Sequence, residues 1–296
     1  MATAPATGGA GRGLAAITVA SEHPVPAHAV AECAGELLER GVGGADLLWV
    51  AAGTSLAGAL ADIVEALRAL LTPRVTVAVV SAVLIGGSRV IDDGGGLCVL
   101  AVSGVPCAPL RLGPGETMEA ALAAAGLDGG ATVVVAADPF SVRPDDLAGP
   151  LAGRATVAGG LLAAGAVPGS NLMLLAGSGP EGAVEYRDGA VAVALAPSAR
   201  VATRVVVPAA PAADTADDNS IDGFDGLPRH ADGRRAVLGF VDLGRIMPAG
   251  SGVVDDVAVL AEWEAGLSGI GVAVELGPIR GAIAVLEGVT AVAVFG

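Results

Sequence analysis

The sequence contains no lysine: all 16 of its basic residues are arginine. A Schiff-base enzyme, a pyridoxal-phosphate enzyme of the usual kind and a P-loop nucleotide-binding protein all need a lysine. Histidine, which general acid–base catalysis recruits most often near neutral pH, occurs only as His23, His28 and His230. These absences argue against catalysis, and we expect a protein that binds a ligand or a partner without being an enzyme.

Aromatic residues make up only 2% of the chain although 53% of it is hydrophobic, so alanine, valine and leucine must fill the core. No apolar run reaches the roughly 18 residues that a membrane-spanning helix needs, since glycine, proline, aspartate or arginine interrupts each one. Residues 1–14 are small and expected to be flexible, and they lack the charged-then-apolar order of a signal peptide. We therefore expect a cytoplasmic protein that does not enter the membrane.

Positive charge is in short supply, and the net charge is −15. A surface of that sign repels the phosphates of nucleic acids, so we expect no nucleic-acid partner. No cluster of arginines is present that would attract an anionic membrane surface. The expected partners are therefore a small molecule or another protein.

Cysteine is scarce as well, since Cys33, Cys98 and Cys107 are an odd number without CxxC spacing. Free structural thiols in a reducing compartment are the simplest interpretation. No pair of histidines or cysteines shows metal-ligand spacing, so we expect no metal, haem or other cofactor. A thiol nucleophile would need a histidine close in space, which the spacing in the sequence does not show.

What the chain does contain is a repeated pattern of strand, helix and strand. The run Asp46–Ala52 is typical of a buried strand, and apolar residues at helical spacing follow it from about Leu56 to Leu71. A Thr-Pro pair ends this helix. The β-branched run Val75–Val83 comes next, and a further apolar run covers Leu97–Val102.

The same order recurs twice more along the chain. The second copy runs from Thr132–Ala137 to Ala190–Leu195. The third runs from Ala236–Val241 to Val289–Phe295, with its helix predicted at Val253–Leu267. Strands joined through a helix pair in parallel, and runs that follow Asp-Gly turns pair antiparallel. The pattern predicts an α/β fold in which repeated strand-helix-strand units form mixed β-sheets with flanking helices. Internal duplication and chance recurrence in an Ala/Val-rich sequence both explain the repeats.

Composition divides the chain into two domains. We expect one domain over residues 15–207, made of two units at about 15–112 and 131–207, and a smaller one over residues 235–296. The stretch 208–234 between them is rich in proline, alanine and aspartate, which predicts an exposed linker.

One motif in this linker is similar to the start of a calcium-binding loop. It reads Asp218-x-Ser220-x-Asp222-Gly223. Arg229 stands where such a loop carries a bidentate glutamate, and the flanking sequence lacks the two helices. A solvated acidic linker is therefore the favoured interpretation.

Several short motifs, in order, resemble the FIST domain family. Three of them resemble the FIST N-terminal domain: Asp138–Ser141 (DPFS), Val157–Gly160 (VAGG) and Asp188–Val191 (DGAV). Two more resemble the end of the FIST C-terminal domain: Glu275–Pro278 (ELGP) and Leu286–Ala291 (LEGVTA). The resemblance covers most of the chain, including both predicted domains.

The chain departs from the family pattern at Ala78–Ala82, at Val207–Ala210 and in its C-terminal part. Val272–Val274 stands where relatives carry a glycine-rich stretch, and Glu287 stands where they usually carry a histidine. The short linker leaves no room for the first part of the FIST C-terminal domain. The chain resembles a shortened and diverged bacterial member, with a FIST N-terminal-like domain over 15–207 and a shortened C-terminal-like domain over 235–296.

The resemblance implies a small-ligand sensory module of intracellular signal transduction. Bacterial relatives stand alone or are fused to signalling modules, eukaryotic relatives accompany an F-box, and some relatives are associated with haem and gas sensing. An amino acid or organic acid is the implied ligand, and a signalling protein is the implied partner. Two alternatives stay open: a structural or partner-binding remnant that has lost its ligand pocket and, less favoured, an enzyme using Asp138 or Glu275 with Cys or Arg groups.

In open α/β sheets, ligands bind beyond the carboxyl ends of parallel strands, near helix N-termini. We expect the turns at those ends to converge and to bring together the candidate ligand-binding residues Asp138, Phe140, Gly159, Gly160, Ser170, Asn171, Glu275, Gly277 and Arg280. Asn171 can donate and accept hydrogen bonds, and Arg280 can clamp an acidic ligand. Asp138 has the ordinary alternative of capping a helix, and Arg280 that of lying on the surface.

Overall fold

The structure, a computed structural model, describes residues 14–87, 89–91, 94–127, 129–148, 155–179, 181–198, 201–206, 236–242, 267–279, 282–286 and 290–295. The helices are α1 (Pro26–Glu39), α2 (Leu60–Leu71), α3 (Met118–Ala124) and α4 (Pro144–Ala148), with a 3-10 helix at Thr54–Ala59 leading into α2. The strands are β1 (Ala15–Ser21), β2 (Leu47–Gly53), β3 (Val75–Ser81), β4 (Leu84–Gly86), β5 (Arg89–Ile91), β6 (Leu97–Ser103), β7 (Cys107–Leu112), β8 (Ala131–Ala137), β9 (Ala155–Leu162), β10 (Met173–Ala176), β11 (Val184–Tyr186), β12 (Ala190–Leu195), β13 (Val201–Val206), β14 (Ala236–Asp242), β15 (Leu267–Ile279), β16 (Ala282–Leu286) and β17 (Thr290–Phe295).

The helices of the first unit follow from their apolar spacing. Helix α1 carries proline in its first turn, where the missing N–H is not needed, and buries one face. Helix α2 buries five residues at helical spacing: Leu60, Ile63, Val64, Leu67 and Leu71. It ends where Thr72 adopts a left-handed conformation, with φ at 46°, just before Pro73.

The strands form two mixed sheets. The first has the order β1-β6-β2-β3-β10-β11, and the second has the order β13-β17-β14-β15-β9-β8-β12-β7. Strands β4 and β16 also pair with β15, and β5 pairs with β4. Because β10 belongs to the second unit and β4 to the first, each of these two units contributes strands to both sheets.

Three units share one pattern of strand pairing. In each unit the opening strand (β1, β7 or β13) pairs antiparallel with the closing strand (β6, β12 or β17). The closing strand also pairs antiparallel with the next strand of the unit (β2, β8 or β14). That strand in turn pairs in parallel with β3, β9 or β15. This shared topology favours internal duplication over chance recurrence.

The two sheets pack face to face between layers of helices. The core between the sheets contains side chains from both, including Trp49 and Val77 of the first sheet and Val134 and Phe240 of the second. A second core lies between the first sheet and helices α1 and α2, and a third lies between the second sheet and helices α3 and α4. The described part of the chain is therefore an α-β-β-α arrangement, mostly filled by aliphatic side chains.

The α/β class with repeated units, mixed sheets and flanking helices is confirmed.

The unit boundaries differ from the sequence-based ones, because β7 and β13 each pair within the unit that follows them. The predicted units, at about 15–112 and 131–207, had placed residues 107–112 and 201–206 at the ends of the first two units. Residues 1–13, the linker 208–234 with its calcium-like motif, and the helix predicted at 253–267, except for Leu267 at the start of β15, lie outside the described residues. No described helix has both the length and the hydropathy that crossing a bilayer requires.

Candidate functional site

A buried aspartate follows strand β8 directly. Asp138 is only 1% exposed. Its Oδ1 accepts a hydrogen bond of 2.8 Å from Nδ2 of Asn171, and its Oδ2 accepts one of 2.6 Å from Oγ of Ser141. We call Asp138, Ser141, Gly165, Asn171 and Gly189 the Asp138 cluster, because hydrogen bonds link all five.

Asn171 lies where the chain passes from the second sheet to the first. It directly precedes Leu172 and strand β10, which pairs antiparallel with β3, and the amide of Val80 donates to the carbonyl of Leu172 at 3.0 Å. Asn171 therefore lies at the carboxyl end of β3, while Asp138 lies at the carboxyl end of β8. The bond between their side chains joins the two sheets at that end.

The loop before Asn171 closes on itself. Oδ1 of Asn171 accepts a 2.8 Å hydrogen bond from the amide of Gly165, while Oγ of Ser170 accepts one of 3.1 Å from the amide of Val167. The Ser170 hydroxyl also donates to the carbonyl of Val167. Asn171 itself is fully buried, but residues 166–170 are exposed. Ser170 thus shapes the loop, and its bonds are made to Val167 rather than to Asp138.

A tight turn before β12 covers the other side of the cluster. The amide of Asp138 donates to the carbonyl of Gly189 at 2.8 Å, and the amide of Gly189 donates to Oγ of Ser141 at 2.7 Å. Gly189 has a φ of 63°, a left-handed conformation that favours glycine. The guanidinium of Arg111 stabilises the turn by donating to the carbonyls of Asp188 and Ala190 at 3.0 and 3.1 Å.

Gly159 and Gly160 lie in β9 rather than at its carboxyl end. A Cβ on Gly159 would stand 2.1 Å from the carbonyl oxygen of Val135, so this glycine allows β8 and β9 to approach. Gly159 pairs with Leu276 and Gly160 pairs with Glu275 in the ladder between β9 and β15. Packing therefore explains Gly159, and Gly160 belongs to the same strand ladder.

The expected convergence of all the turns is not what the structure shows. Strand β15 runs antiparallel to β9, so Gly277 lies further toward the amino end of β9, away from Asp138. The carboxyl ends of β14 and β15 consequently point to the opposite end of the second sheet. Strand direction of this kind depends on pairing between units, which the pattern within one unit does not determine.

Of the two remaining candidates, only Phe140 lies within the described residues. Phe140 is 45% exposed on the loop after β8. Arg280 lies outside the described residues. Of the predicted residues, the structure therefore brings together Asp138 and Asn171, with Ser170 in the adjoining loop.

The equivalent strand end in the first unit is closed by the chain itself. The amide of Gly53 donates to the carbonyl of Gly96 at 2.9 Å, and the amide of Ser55 donates to that of Gly94 at 2.9 Å. A Cβ on Gly53 would stand 2.1 Å from the carbonyl oxygen of Gly95. No space is left there for a ligand to reach these amides.

Two of the three thiols, those of Cys33 and Cys107, are not activated. Burial, with smaller contributions from Cys98 and two glutamates, raises the pKa of Cys33 well above its usual range. Burial also raises the pKa of Cys107 to about 12, helped by the charge of Asp46. Both thiols therefore keep their protons at neutral pH, and neither is a ready nucleophile.

The two described histidines, His23 and His28, lie next to each other. The ring of His23, which lies between β1 and α1, and the ring of His28, in the first turn of α1, have centroids 4.5 Å apart. Nδ1 of His23 accepts a hydrogen bond from the amide of Val25 at 3.1 Å. Within the described ranges no three His, Cys, Asp or Glu side chains are grouped so that they could hold a metal ion.

Sequence reasoning missed three members of the cluster: Ser141, Gly165 and Gly189. Ser141 stands three residues after Asp138 at the end of a strand, a spacing at which a hydroxyl can reach back to a carboxylate. Gly189 follows Asp188 in an Asp-Gly turn, which we had interpreted as a hairpin signal and as part of a family motif, but not as part of a site. Gly165 carried no signal, because its role depends on where Asn171 lies.

The cluster is a buried carboxylate held by two neutral hydrogen-bond donors. It is suited to accept hydrogen bonds from a donor group such as an amide or an ammonium. Among the described residues, its hydrogen-bond partners include neither a histidine nor a thiol, the usual partners for proton transfer. No protein-family model matches this chain, and no curated protein sequence matches it either.

Proposed function

We propose that this chain is a non-catalytic binding protein of the FIST type, which holds a small metabolite such as an amino acid or organic acid at the carboxyl ends of β3 and β8. In this proposal it works in the cytoplasm as a sensory module and passes the binding event to a protein partner. The resemblance of its motifs to the FIST family supports the class of function, and the Asp138 cluster supports the proposed location of the ligand.

The observation that carries the proposal is the buried pair of Asp138 and Asn171. Burying a carboxylate costs free energy unless hydrogen bonds compensate, and an apolar pair of similar shape would stabilise the sheet contact at least as well. A polar pair kept at a strand end, where α/β sheets bind their ligands, therefore supports a binding role.

The chemistry of the pair indicates which part of a ligand it would meet. Asp138 only accepts hydrogen bonds when ionised, and in the described structure it already accepts one from the carboxamide of Asn171. An amino acid offers an ammonium to Asp138 and a carboxylate to donors nearby. The net charge of −15 also opposes the approach of purely anionic ligands.

The absence of catalysis is part of the same proposal. The thiols of Cys33 and Cys107 are held protonated, and Asp138 is bonded to a carboxamide and a hydroxyl. Such a group binds and orients a ligand without an evident route for moving its protons.

A second candidate function has its own supporting observation. Both carboxylate oxygens of Asp138 and both polar atoms of the Asn171 side chain are bonded to the chain itself. A cluster satisfied in this way also fits a structural or partner-binding protein that has lost its ligand pocket.

A thermal-shift screen separates the two. Amino acids and small organic acids would be tested on the parent protein and on Asp138→Asn, which keeps the shape of the side chain and removes its charge. Ligand binding at the cluster predicts a compound that stabilises the parent and has a much smaller effect on the variant. A compound that stabilises both equally would place the site elsewhere, and no stabilising compound would favour the second candidate.

A further inference from the structure

We infer that residues 165–170, which we call the strap, hold the Asp138 site closed by using the side chain of Asn171 as an internal ligand. This inference rests on the proposed function, since it concerns the control of the same site. In the closed form the carboxamide of Asn171 occupies the position on Asp138 that a donor group of a ligand would take. The strap must open before a ligand reaches the carboxylate.

The contact between Asn171 and Asp138 has the form of a bound ligand. A primary amide donates to Oδ1 over 2.8 Å, while its own oxygen accepts from the amide of Gly165. The hydroxyl of Ser141 donates to Oδ2 of Asp138, and it accepts a hydrogen bond from the amide of Gly189. Strand β8 and the turn at Gly189 therefore form the fixed side of the site. The side chain of Asn171 forms the side that moves away when the strap opens.

The strap is built to move as a unit. It is held together by its own bonds between Val167 and Ser170, and a further contact of 3.5 Å joins Nη1 of Arg187 to the carbonyl of Gly169. Val167 in its middle is 59% exposed, so apolar packing contributes little to holding it down. The bonds of Asn171 are therefore the main attachment of the strap in the described structure.

The ends of the strap are fixed, which confines the motion. Strand β9 ends at Leu162, and the carbonyl of Leu172 is held by the amide of Val80 at 3.0 Å. Gly165 and Gly169 lie between these points, and Gly169 has a φ of 78°. Glycines at such positions absorb changes of backbone angle, so opening leaves both sheets intact.

The closed strap lowers the apparent affinity for any ligand. For a ligand that binds only the open form, the apparent affinity equals the intrinsic affinity multiplied by the open fraction. Replacing Asn171 by alanine removes the internal ligand and raises that fraction. The variant should therefore bind a matching small molecule more tightly than the parent, which is the opposite of what loss of a ligand-contacting residue does.

The test compares the parent, Asn171→Ala and Thr156→Val. The control removes the hydroxyl contact of 3.2 Å between Thr132 and Thr156 at the other end of strands β8 and β9. Amide hydrogen exchange is followed by mass spectrometry, and binding of glycinamide, a small amide with an ammonium group, is measured by titration. In Asn171→Ala we expect exchange in the strap to rise about tenfold and the glycinamide dissociation constant to fall about three- to tenfold. In Thr156→Val neither should change.

Three results would overturn the inference: exchange in the strap that stays at the parent rate, exchange that rises equally throughout β8 and β9, or a variant that does not fold. The last two would show that Asn171 ties the fold together. Weaker glycinamide binding in the variant would also overturn it, because Asn171 would then be a ligand contact. Raised strap exchange with no glycinamide binding to either protein would support the strap and contradict the proposed ligand function.

A second variant checks the contact from the other side. Asp138→Asn keeps an acceptor for Asn171 but replaces a charge-assisted hydrogen bond by a neutral one, which is about half as strong. Strap exchange should rise in this variant too, by less than in Asn171→Ala. No rise in either variant would show that the pair does not hold the strap.

Discussion

The carboxamide nitrogen of Asn171 lies 2.8 Å from Oδ1 of Asp138, and this bond joins two sheets that are otherwise in contact mainly through aliphatic side chains. Asn171 lies shortly before strand β10 of the first sheet, and Asp138 directly follows strand β8 of the second. The pair is therefore both a tie between the sheets and the centre of the proposed site.

Replacing Asp138 by alanine should destabilise the protein by about 2–4 kcal/mol, because Nδ2 of Asn171 and Oγ of Ser141 would lose their acceptor while still buried. The free energy of unfolding in urea measures the effect. Asp145→Ala, at an exposed position in α4, is the matched control and should change it by less than about 1 kcal/mol. Equal effects of the two substitutions would show that the cluster does not stabilise the fold.

Replacing Gly159 by alanine should be costly, since the new Cβ would stand 2.1 Å from the carbonyl oxygen of Val135 and force β8 and β9 apart. We expect a loss of about 2–4 kcal/mol in the free energy of unfolding. Gly177→Ala is the control, because the nearest atom to its Cβ would be Cγ of Pro109 at 3.8 Å, an ordinary contact. A Gly159→Ala protein as stable as this control would contradict the close approach of the strands.

The packing of the third unit against the first can be tested at one aromatic pair. The rings of Trp49 and Phe240 meet edge to face with their centroids 5.8 Å apart. A double-mutant cycle with Trp49→Leu and Phe240→Leu should give a coupling energy of about 0.5–1.5 kcal/mol. Strictly additive losses of stability would mean that the two rings do not touch in solution.

Stability should fall at high pH because of Cys107. Burial raises its pKa to about 12, from 9.0 for an ordinary thiol, so the folded protein keeps a proton that the unfolded chain releases. The stabilising contribution is complete below about pH 9 and is lost as the pH rises toward about 12. Unfolding in urea at about pH 8 and about pH 11 should show a smaller loss for Cys107→Ala than for the parent. The same loss in both proteins would show that this thiol is not the cause.

Much of the fold was readable from the sequence because its strands are continuous β-branched or aliphatic runs. The run Ala190–Leu195 was predicted with the bounds that the structure has, and α2 was identified from five apolar residues at helical spacing. Strands β1 and β7 were missed, since short alanine-rich or proline-containing runs at a sheet edge carry little periodicity. The pairing of β15 with β9 was also missed, because contacts between units leave no local pattern.

The site was only partly predictable for the same reason. Asp138 and Asn171 were placed together because both follow strand ends, and the structure does join them. Glu275 and Gly277 were added on the assumption that all parallel strands point the same way. The antiparallel pairing of β15 with β9 contradicts that assumption. Ser141 was visible only as part of a motif, and its hydrogen bond depends on the three-dimensional turn at Gly189.

Native mass spectrometry of the protein purified from its own host tests the central claim most directly. The account predicts a small molecule that stays bound in the native spectrum, is released on denaturation, and is lost or much reduced in Asp138→Asn purified in the same way. A parent protein found only at its bare mass, together with a screen in which no amino acid or organic acid stabilises it, would contradict a ligand-binding role and favour a structural one.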